Sequence, residues 1–189
     1  MAEPMLGTFE PGRIVKFEAV DRSPAGLPAG LPEPLVGGRA CGDGSLVAFR
    51  TARGSILAMA LDDAGAAALA QVEAALNDGG PWVAFDVGDG YAALELSGDR
   101  VLDILAAGTA LDLSDQTLAP SPTLPPEGGA TEGFPVGAAQ MTGLAHVPAL
   151  LWRSAGETVR ILVARSYGDW MMAWLRDAGR AYGISMRED

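Results

Sequence analysis

The sequence predicts an α+β protein with largely antiparallel sheets and with helices packed on one face of them. Two observations favour this class. Short segments of alternating or continuous apolar residues outnumber the helical patterns, and clusters of Gly and Pro separate neighbouring segments. The order is strand–strand–helix twice, followed by three strands and a helix. A chain of 189 residues buries enough surface to fold around a core without disulfides.

Each helix is predicted from its periodicity and its ends. Asp62 or Asp63 caps a helix that runs to about Asn77, and Ser97 caps a helix over residues 98–107. Ser166, with an acidic residue three positions later, caps the last helix. Strands are predicted at 12–20, 45–49, 55–61, 82–87, 91–96, 136–144, 147–153 and 158–164. The pair 82–87 and 91–96 is predicted to form a hairpin around Gly88-Asp89-Gly90.

Runs of Pro and Gly divide the chain. Residues 1–44 are predicted to be an N-terminal strand followed by an extended Pro/Gly-rich segment, and residues 45–189 a single α+β domain. That domain divides into two lobes, 45–113 and 134–189, if the loop 114–135 is a linker. A loop of this length is an ordered docking segment or a mobile connection.

Composition excludes several classes of function. Lys and Arg number 13 against 24 Asp and Glu, and the resulting net charge of −11 disfavours nucleic acid and anionic membranes as partners. One cysteine excludes an internal disulfide and a thiolate zinc site. There is no signal-peptide pattern and no apolar run of about 18 residues, so a cytoplasmic protein is expected.

No group of residues predicts catalysis, cofactor binding or metal binding by this chain. His146 lies between two strands and is interpreted as a turn residue, because no partner for base catalysis is evident. Cys41 lies in a glycine-rich stretch that lacks the Lys and Ser or Thr of a phosphate loop. The pairs Asp62-Asp63 and Asp86 with Asp89 are explained by helix capping and turn formation.

The start of the last helix is the best candidate for an interface or an anion contact. Arg165, Ser166 and Tyr167 are delivered by a strand to a helix N-terminus, although an ion pair with an acidic side chain explains the arginine equally simply. Aromatic and methionine side chains follow at helical spacing, which fits core packing as well as an interface; they are Trp170, Met171 and Trp174.

Several segments resemble the gamma subunit of heterotetrameric sarcosine oxidase. They are Ala93-Leu94-Glu95-Leu96-Ser97-Gly98 before a helix and Leu111-Asp112-Leu113 after it, Asp86-Val87-Gly88-Asp89, Phe134-Pro135-Val136-Gly137 with Gln140, and Pro148-Ala149-Leu150-Leu151-Trp152 followed by Val163-Ala164-Arg165-Ser166-Tyr167 and Trp174-Leu175. The resemblance covers roughly residues 82–183. It implies a fold with ferredoxin-like elements similar to the folate-binding aminomethyltransferase domain.

The resemblance also implies a function. A non-catalytic subunit would help to assemble a complex that demethylates sarcosine oxidatively to glycine and passes a one-carbon unit to tetrahydrofolate. Partner subunits of alpha, beta and delta type would carry FAD, FMN, NAD, tetrahydrofolate and zinc, and this chain would carry none of these cofactors. In the absence of its partners, the chain would form a homo-oligomer or remain a monomer. Two alternatives remain. The first is a stand-alone folate-binding or aminomethyltransferase-like protein, in which Asp86, Asp89 or Asp112 would contact the pterin. The second is an adaptor that has lost its complex.

Overall fold

The computed structural model describes residues 2–21, 26–32, 39–42, 44–76, 80–114 and 133–187. The chain divides into two compact units, one made of Met1–Phe9 with Tyr91–Asp189 and the other of Glu10–Gly90. The strands are β1 (Met5–Thr8), β2 (Ile14–Ala19), β3 (Ala40–Gly42), β4 (Leu46–Ala52), β5 (Ser55–Ala60), β6 (Trp82–Asp86), β7 (Tyr91–Ser97), β8 (Ala139–Leu144), β9 (Val147–Ala155), β10 (Thr158–Ala164) and β11 (Ser185–Met186). The helices are α1 (Asp63–Ala74), α2 (Val101–Ala106) and α3 (Gly168–Ala178).

The 10–90 unit is an antiparallel sheet of five strands in the order β3-β4-β5-β2-β6, with α1 packed against it. Asp62 begins α1 as predicted, because its carboxylate accepts a hydrogen bond from the Gly65 N–H at 2.8 Å. One face of the sheet packs on the buried side of α1, where Leu69 and Val72 lie; the sheet side contributes Val15, Phe17, Ala48, Ile56, Ala58 and Trp82.

The other unit is a sheet of six strands in the order β11-β1-β7-β10-β9-β8. All its neighbouring strands are antiparallel except β1 and β11, which are parallel. One core forms between the sheet and the helices α2 and α3, and it contains Leu94, Leu96, Ile104, Leu105, Phe134, Leu151, Ile161, Met171 and Leu175. The predicted α+β class with antiparallel sheets is therefore confirmed.

The predicted hairpin of residues 82–96 is wrong. Both strands form, but β6 pairs with β2, whereas β7 pairs with β1 and β10 in the other sheet. Gly88–Gly90 is a turn of 3-10 helix at the boundary between the two units. The local pattern predicted two strands and a turn correctly, but a turn alone does not decide which strands pair.

Two predicted helix caps are also wrong, and the reason is the same at both. Ser97 is the last residue of β7, and the chain then turns through Gly98 at φ +98° before α2 begins at Val101. Ser166 lies inside a 3-10 turn, Arg165–Tyr167, that precedes α3. Neither α2 nor α3 has a side-chain hydrogen bond at its N-cap, so an extra turn of chain separates each serine from the helix it was expected to cap.

The units do not follow the predicted divisions at 44/45 and around the loop 114–135. Strand β2, in the predicted N-terminal segment, lies between β5 and β6, and β1 lies between β7 and β11. Because of these pairings, β2 belongs to the 10–90 unit and β1 belongs to the other unit. Residues 115–132, the main part of the predicted loop, lie outside the described residues. Within the described ranges, no helix is long and apolar enough to cross a membrane.

Candidate interface on the last helix

The last helix is entered directly from the sheet. Strand β10 ends at Ala164, the 3-10 turn Arg165–Tyr167 follows, and α3 begins at Gly168. Arg165 and Ser166 are both exposed, and Asp169 lies in the first turn, where a negative charge is favourable. The predicted delivery of an arginine by a strand to a helix start is therefore present, with a 3-10 turn between them.

Two large aromatic side chains on this segment are exposed to solvent. Tyr167 is 44% exposed and Trp170 is 46% exposed. Trp174 is partly buried one turn further along. Residues three and four apart share a face of a helix, so Tyr167, Trp170 and Trp174 form one row, which we call the aromatic row. Met171 is completely buried, so it belongs to the core and not to this surface.

Trp174 is held at the base of the row by Gly108. A Cβ atom added at Gly108 would lie 2.4 Å from Cη2 of Trp174 and 3.2 Å from the Ala145 backbone nitrogen. The indole therefore fills the space that a side chain would need. The row therefore has a packed inner end at Trp174 and an exposed outer end at Tyr167 and Trp170.

Asp86 is committed to an ion pair and a turn. Its Oδ2 lies 2.9 Å from Nη2 of Arg13, and Arg13 also binds Glu73 at 2.7 Å. Its Oδ1 accepts a hydrogen bond from the Gly88 N–H at 3.2 Å. The hydrogen bond from Arg13, and then that from Gly88, hold the pKa of Asp86 below its ordinary value. The group is therefore a charged structural anchor and not an acid with a raised pKa.

The other two candidates for a pterin contact are also solvent-exposed turn residues. Asp112 accepts a hydrogen bond from the Ser114 N–H at 2.9 Å, and this bond lowers its pKa. Asp89 lies in the 3-10 turn Gly88–Gly90. Two open depressions of about 480 Å³ each lie elsewhere, one lined by Asp99 to Asp103, Arg153 and Glu157, and one lined by Cys41, Ser45 and the start of α1. None of the three candidate carboxylates lines either depression.

His146 and Cys41 occupy structural positions. His146 is an exposed residue of the tight turn between β8 and β9, with Ala145 and His146 both at positive φ, as a two-residue hairpin turn requires. Cys41 lies in β3, inside the segment predicted to be extended and rich in Pro and Gly, and it packs partly against the core of the 10–90 unit. Among the described residues, no group of three or more His, Cys, Asp and Glu side chains could hold a metal ion.

One charged cluster was missed by the sequence analysis. Glu95 is only 9% exposed, and its two carboxylate oxygens bind Arg160 at 3.0 Å and Arg187 at 2.9 Å. The Arg160 guanidinium also lies 4.0 Å from the ring centroid of Phe9 and 5.0 Å from that of Trp152. Burial raises the pKa of Glu95, but the hydrogen bonds from the two arginines outweigh it and the pKa is lowered. The sequence did carry one signal for this cluster: Glu95 lies between two leucines, Leu94 and Leu96, in a predicted strand.

Comparisons with known proteins define the class of fold. The chain matches no protein-family model and no curated protein sequence. Among solved structures it is similar to a chain of heterotetrameric sarcosine oxidase from Corynebacterium sp. U-96 in complex with pyrrole 2-carboxylate. The TM-score is 0.66 and the identity 22%, over 93% of this chain and 83% of that chain.

The glycine cleavage system aminomethyltransferase T from Bartonella henselae has a similar fold, with a TM-score of 0.60 and 13% identity. The match covers 98% of this chain and 48% of that chain. The fold is therefore similar to that of an aminomethyltransferase, as the resemblance to the gamma subunit family implies.

Proposed function

We propose that this chain is the gamma-type, non-catalytic subunit of a heterotetrameric sarcosine-oxidase-like complex. The observation that carries the proposal is the likeness in fold to a chain of such an enzyme over 93% of this chain and 83% of that one. Mutual coverage this high means that the two chains have comparable lengths, so the likeness is not to a module within a much larger subunit. The segments between residues 82 and 183 that resemble the gamma family add independent support.

In this proposal the chemistry belongs to the partner subunits. Subunits of alpha, beta and delta type bind FAD, FMN, NAD, tetrahydrofolate and zinc, oxidise sarcosine to glycine, reduce oxygen to hydrogen peroxide and transfer the one-carbon unit. This chain contributes packing and assembly. The carboxylates considered above support that division of labour, because Asp86 and Asp112 have lowered pKa values and already serve an ion pair and a turn.

The aromatic row is the surface through which we propose that the chain docks on a partner. Trp170 leaves roughly 70–115 Å² in solvent if its 46% exposure is applied to the 150–250 Å² typical of a large aromatic side chain. Burying this area is worth about 2–3 kcal/mol, the size expected of an interface hot spot.

The experiment is purification of the tagged chain from its own cells during growth on sarcosine. The expected product is a yellow complex of several chains, identified by native mass and by the absorption spectrum of bound flavin. Recovery of a colourless protein without larger partners would contradict the proposal.

Variants test the docking surface separately from the complex itself. Trp170→Lys should reduce recovery of the complex at least tenfold, since it replaces an apolar contact with a charge. Tyr182→Lys is the matched control, because Tyr182 is 40% exposed and lies after α3, outside the row. If both variants reduced recovery of the complex equally, or if neither reduced it, the aromatic row would not be the docking surface. The subunit role would still be decided by the purification.

The second candidate is a stand-alone folate-binding protein, which the likeness to aminomethyltransferase T over 98% of this chain favours. Calorimetric titration with tetrahydrofolate should then give a measurable heat and raise the melting temperature. Asp86→Asn and Asp112→Asn should weaken that binding if either carboxylate contacts the pterin. Absence of heat and of a thermal shift would remove this candidate.

A further inference from the structure

The outer edge of β6 carries backbone groups that point away from its sheet. In the β2–β6 pair, the Val20 N–H binds the Pro81 carbonyl and the Val87 N–H binds the Ile14 carbonyl. Alternation along an antiparallel ladder then directs the backbone of Val83 and Phe85 toward β2. The N–H and C=O groups of Trp82, Ala84 and Asp86 consequently point outward.

The exposed face of β6 is apolar. Val83 is 41% exposed and Phe85 is 52% exposed, and they lie on the same face because they are two residues apart. Opposite them on β2 lie Glu18 and Lys16. No charged residue stands on this face of β6 and no proline interrupts the strand, so two of the features by which natural sheets protect their edges are missing here. In the part of the chain that the structure describes, no other strand pairs with this edge.

We propose that β6 is a self-association edge, through which two copies of this chain pair antiparallel about a two-fold axis at Ala84. The paired β6 strands would continue each five-stranded sheet into its neighbour. In this register Ala84 faces Ala84 of the second copy, and Trp82 faces its Asp86. Each of these outward-pointing residues then exchanges both of its backbone hydrogen bonds with the second copy.

The side chains of β6 are complementary to those of a second β6, so a second copy of this chain fits this edge. An axis at Ala84 places Phe85 directly opposite Val83 of the second copy, and Val83 opposite its Phe85. These are non-hydrogen-bonded pairs, in which side chains approach most closely, and aromatic residues pair favourably with β-branched ones across strands. Each row across the joined sheets would read Lys16, Phe85, Val83, Glu18, so no like charges meet across the new contact.

The size and charge of the contact set its strength. An edge of five residues buries less than the 1,200–2,000 Å² of a standard interface, so the dimer should be weak and reversible. Each copy carries a net charge of −11, and the two copies therefore repel each other. Salt should strengthen the dimer by screening this repulsion, because no ion pair across the contact is there to be weakened.

The test is sedimentation of the purified full chain from about 10 µM to about 1 mM, a range that brackets weak association. The apparent mass should rise from 19.4 kDa toward twice that value, and the rise should occur at lower concentration in 0.5 M than in 0.05 M sodium chloride. Hydrogen exchange should slow with concentration at the amides of Trp82, Ala84 and Asp86, and not at those of Val83 and Phe85. A mass of 19.4 kDa throughout would overturn the proposal.

Two variants and one control locate the contact. Phe85→Lys should weaken self-association at least tenfold by placing like charges on the edge. Ala84→Pro should do the same without adding charge, since it removes an outward N–H that β2 does not use. Met141→Lys, at a residue 44% exposed on the edge strand β8, should leave the dimer unchanged.

Self-association that survives both β6 variants, or that Met141→Lys abolishes, would refute the assignment. The outcome is independent of the proposed subunit role, because it is read on the purified, colourless chain alone.

Discussion

Replacing Glu95 with Gln tests whether the cluster of Glu95, Arg160 and Arg187 stabilises the six-stranded sheet through charge. The substitution keeps the shape of the side chain and removes the only anion between two cations. Glu95 has a side-chain exposure of 12% and Arg160 one of 22%, so both are largely shielded from water, whereas Arg187 is 37% exposed and screened. The effect should therefore come mainly from the Glu95–Arg160 pair.

The expected loss of stability is about 2–3 kcal/mol. Removing one partner of a fully buried ion pair costs about 3–5 kcal/mol. Two features reduce this figure: the partial exposure of Arg160, and its contacts with the rings of Phe9 and Trp152, which the variant keeps. At pH 7 the substitution should show this full loss of stability, because Glu95 is ionised there.

The pH dependence has a defined sign. The folded pKa of Glu95 is lowered, so the unfolded chain binds a proton more readily and the ion pair stabilises the fold above the ordinary glutamate pKa of about 4. This contribution disappears as the pH falls through the lowered folded pKa. The difference between the native chain and Glu95→Gln should accordingly shrink in acid.

Urea unfolding followed by tryptophan fluorescence measures the loss. Three of the four tryptophans, Trp152, Trp170 and Trp174, belong to the unit that contains Glu95, so the signal reports mainly on it. Asp103→Asn is the matched control, because it breaks an exposed ion pair with Arg100 and should cost less than about 0.5 kcal/mol. A loss below about 1 kcal/mol for Glu95→Gln, or one that does not change with pH, would refute the reasoning.

Two further substitutions test packing and capping. Gly108→Ala places a Cβ 2.4 Å from the Trp174 ring, so it should displace the indole, cost about 1–3 kcal/mol and shift the emission of the folded protein to longer wavelength; an unchanged spectrum would contradict the contact. Asp62→Ala removes the acceptor of the Gly65 N–H and should cost about 1 kcal/mol by urea unfolding. Asp63→Ala is the control for that cap, and an equal loss in both variants would argue against a role specific to Asp62.

The sequence predicted most elements of the fold and few of its pairings. Strand β10 was predicted at its observed bounds, because a run of apolar and β-branched residues between turns is a strong local signal. The hairpin of residues 82–96 was wrong because partner choice depends on distant strands, β2 for one half and β1 and β10 for the other. Strand β11, with two residues, is too short for any pattern.

The burial of the last helix was predicted only in part. Helical periodicity placed Trp170, Met171 and Trp174 on one helix. It could not separate the buried face of that helix from the exposed one, because all six residues of the run 170–175 are apolar. The structure buries Met171 completely and exposes Trp170, one position before it in the chain. The exposed pair Val83 and Phe85 was missed for a related reason, since alternation predicts that a strand has two faces without indicating whether both are covered.

The pairing of β1 with β11 has a consequence for the order of folding. The Ser185 N–H binds the Pro4 carbonyl at 2.9 Å, although the two residues are 181 positions apart. The unit of residues 10–90 is continuous in sequence, so it can complete its sheet while the ribosome is still synthesising the rest. The strand β1 must instead wait until β7 is made before it has one neighbour, and until β11 is made before it has both. Closure of this long loop should be a late and slow step in folding.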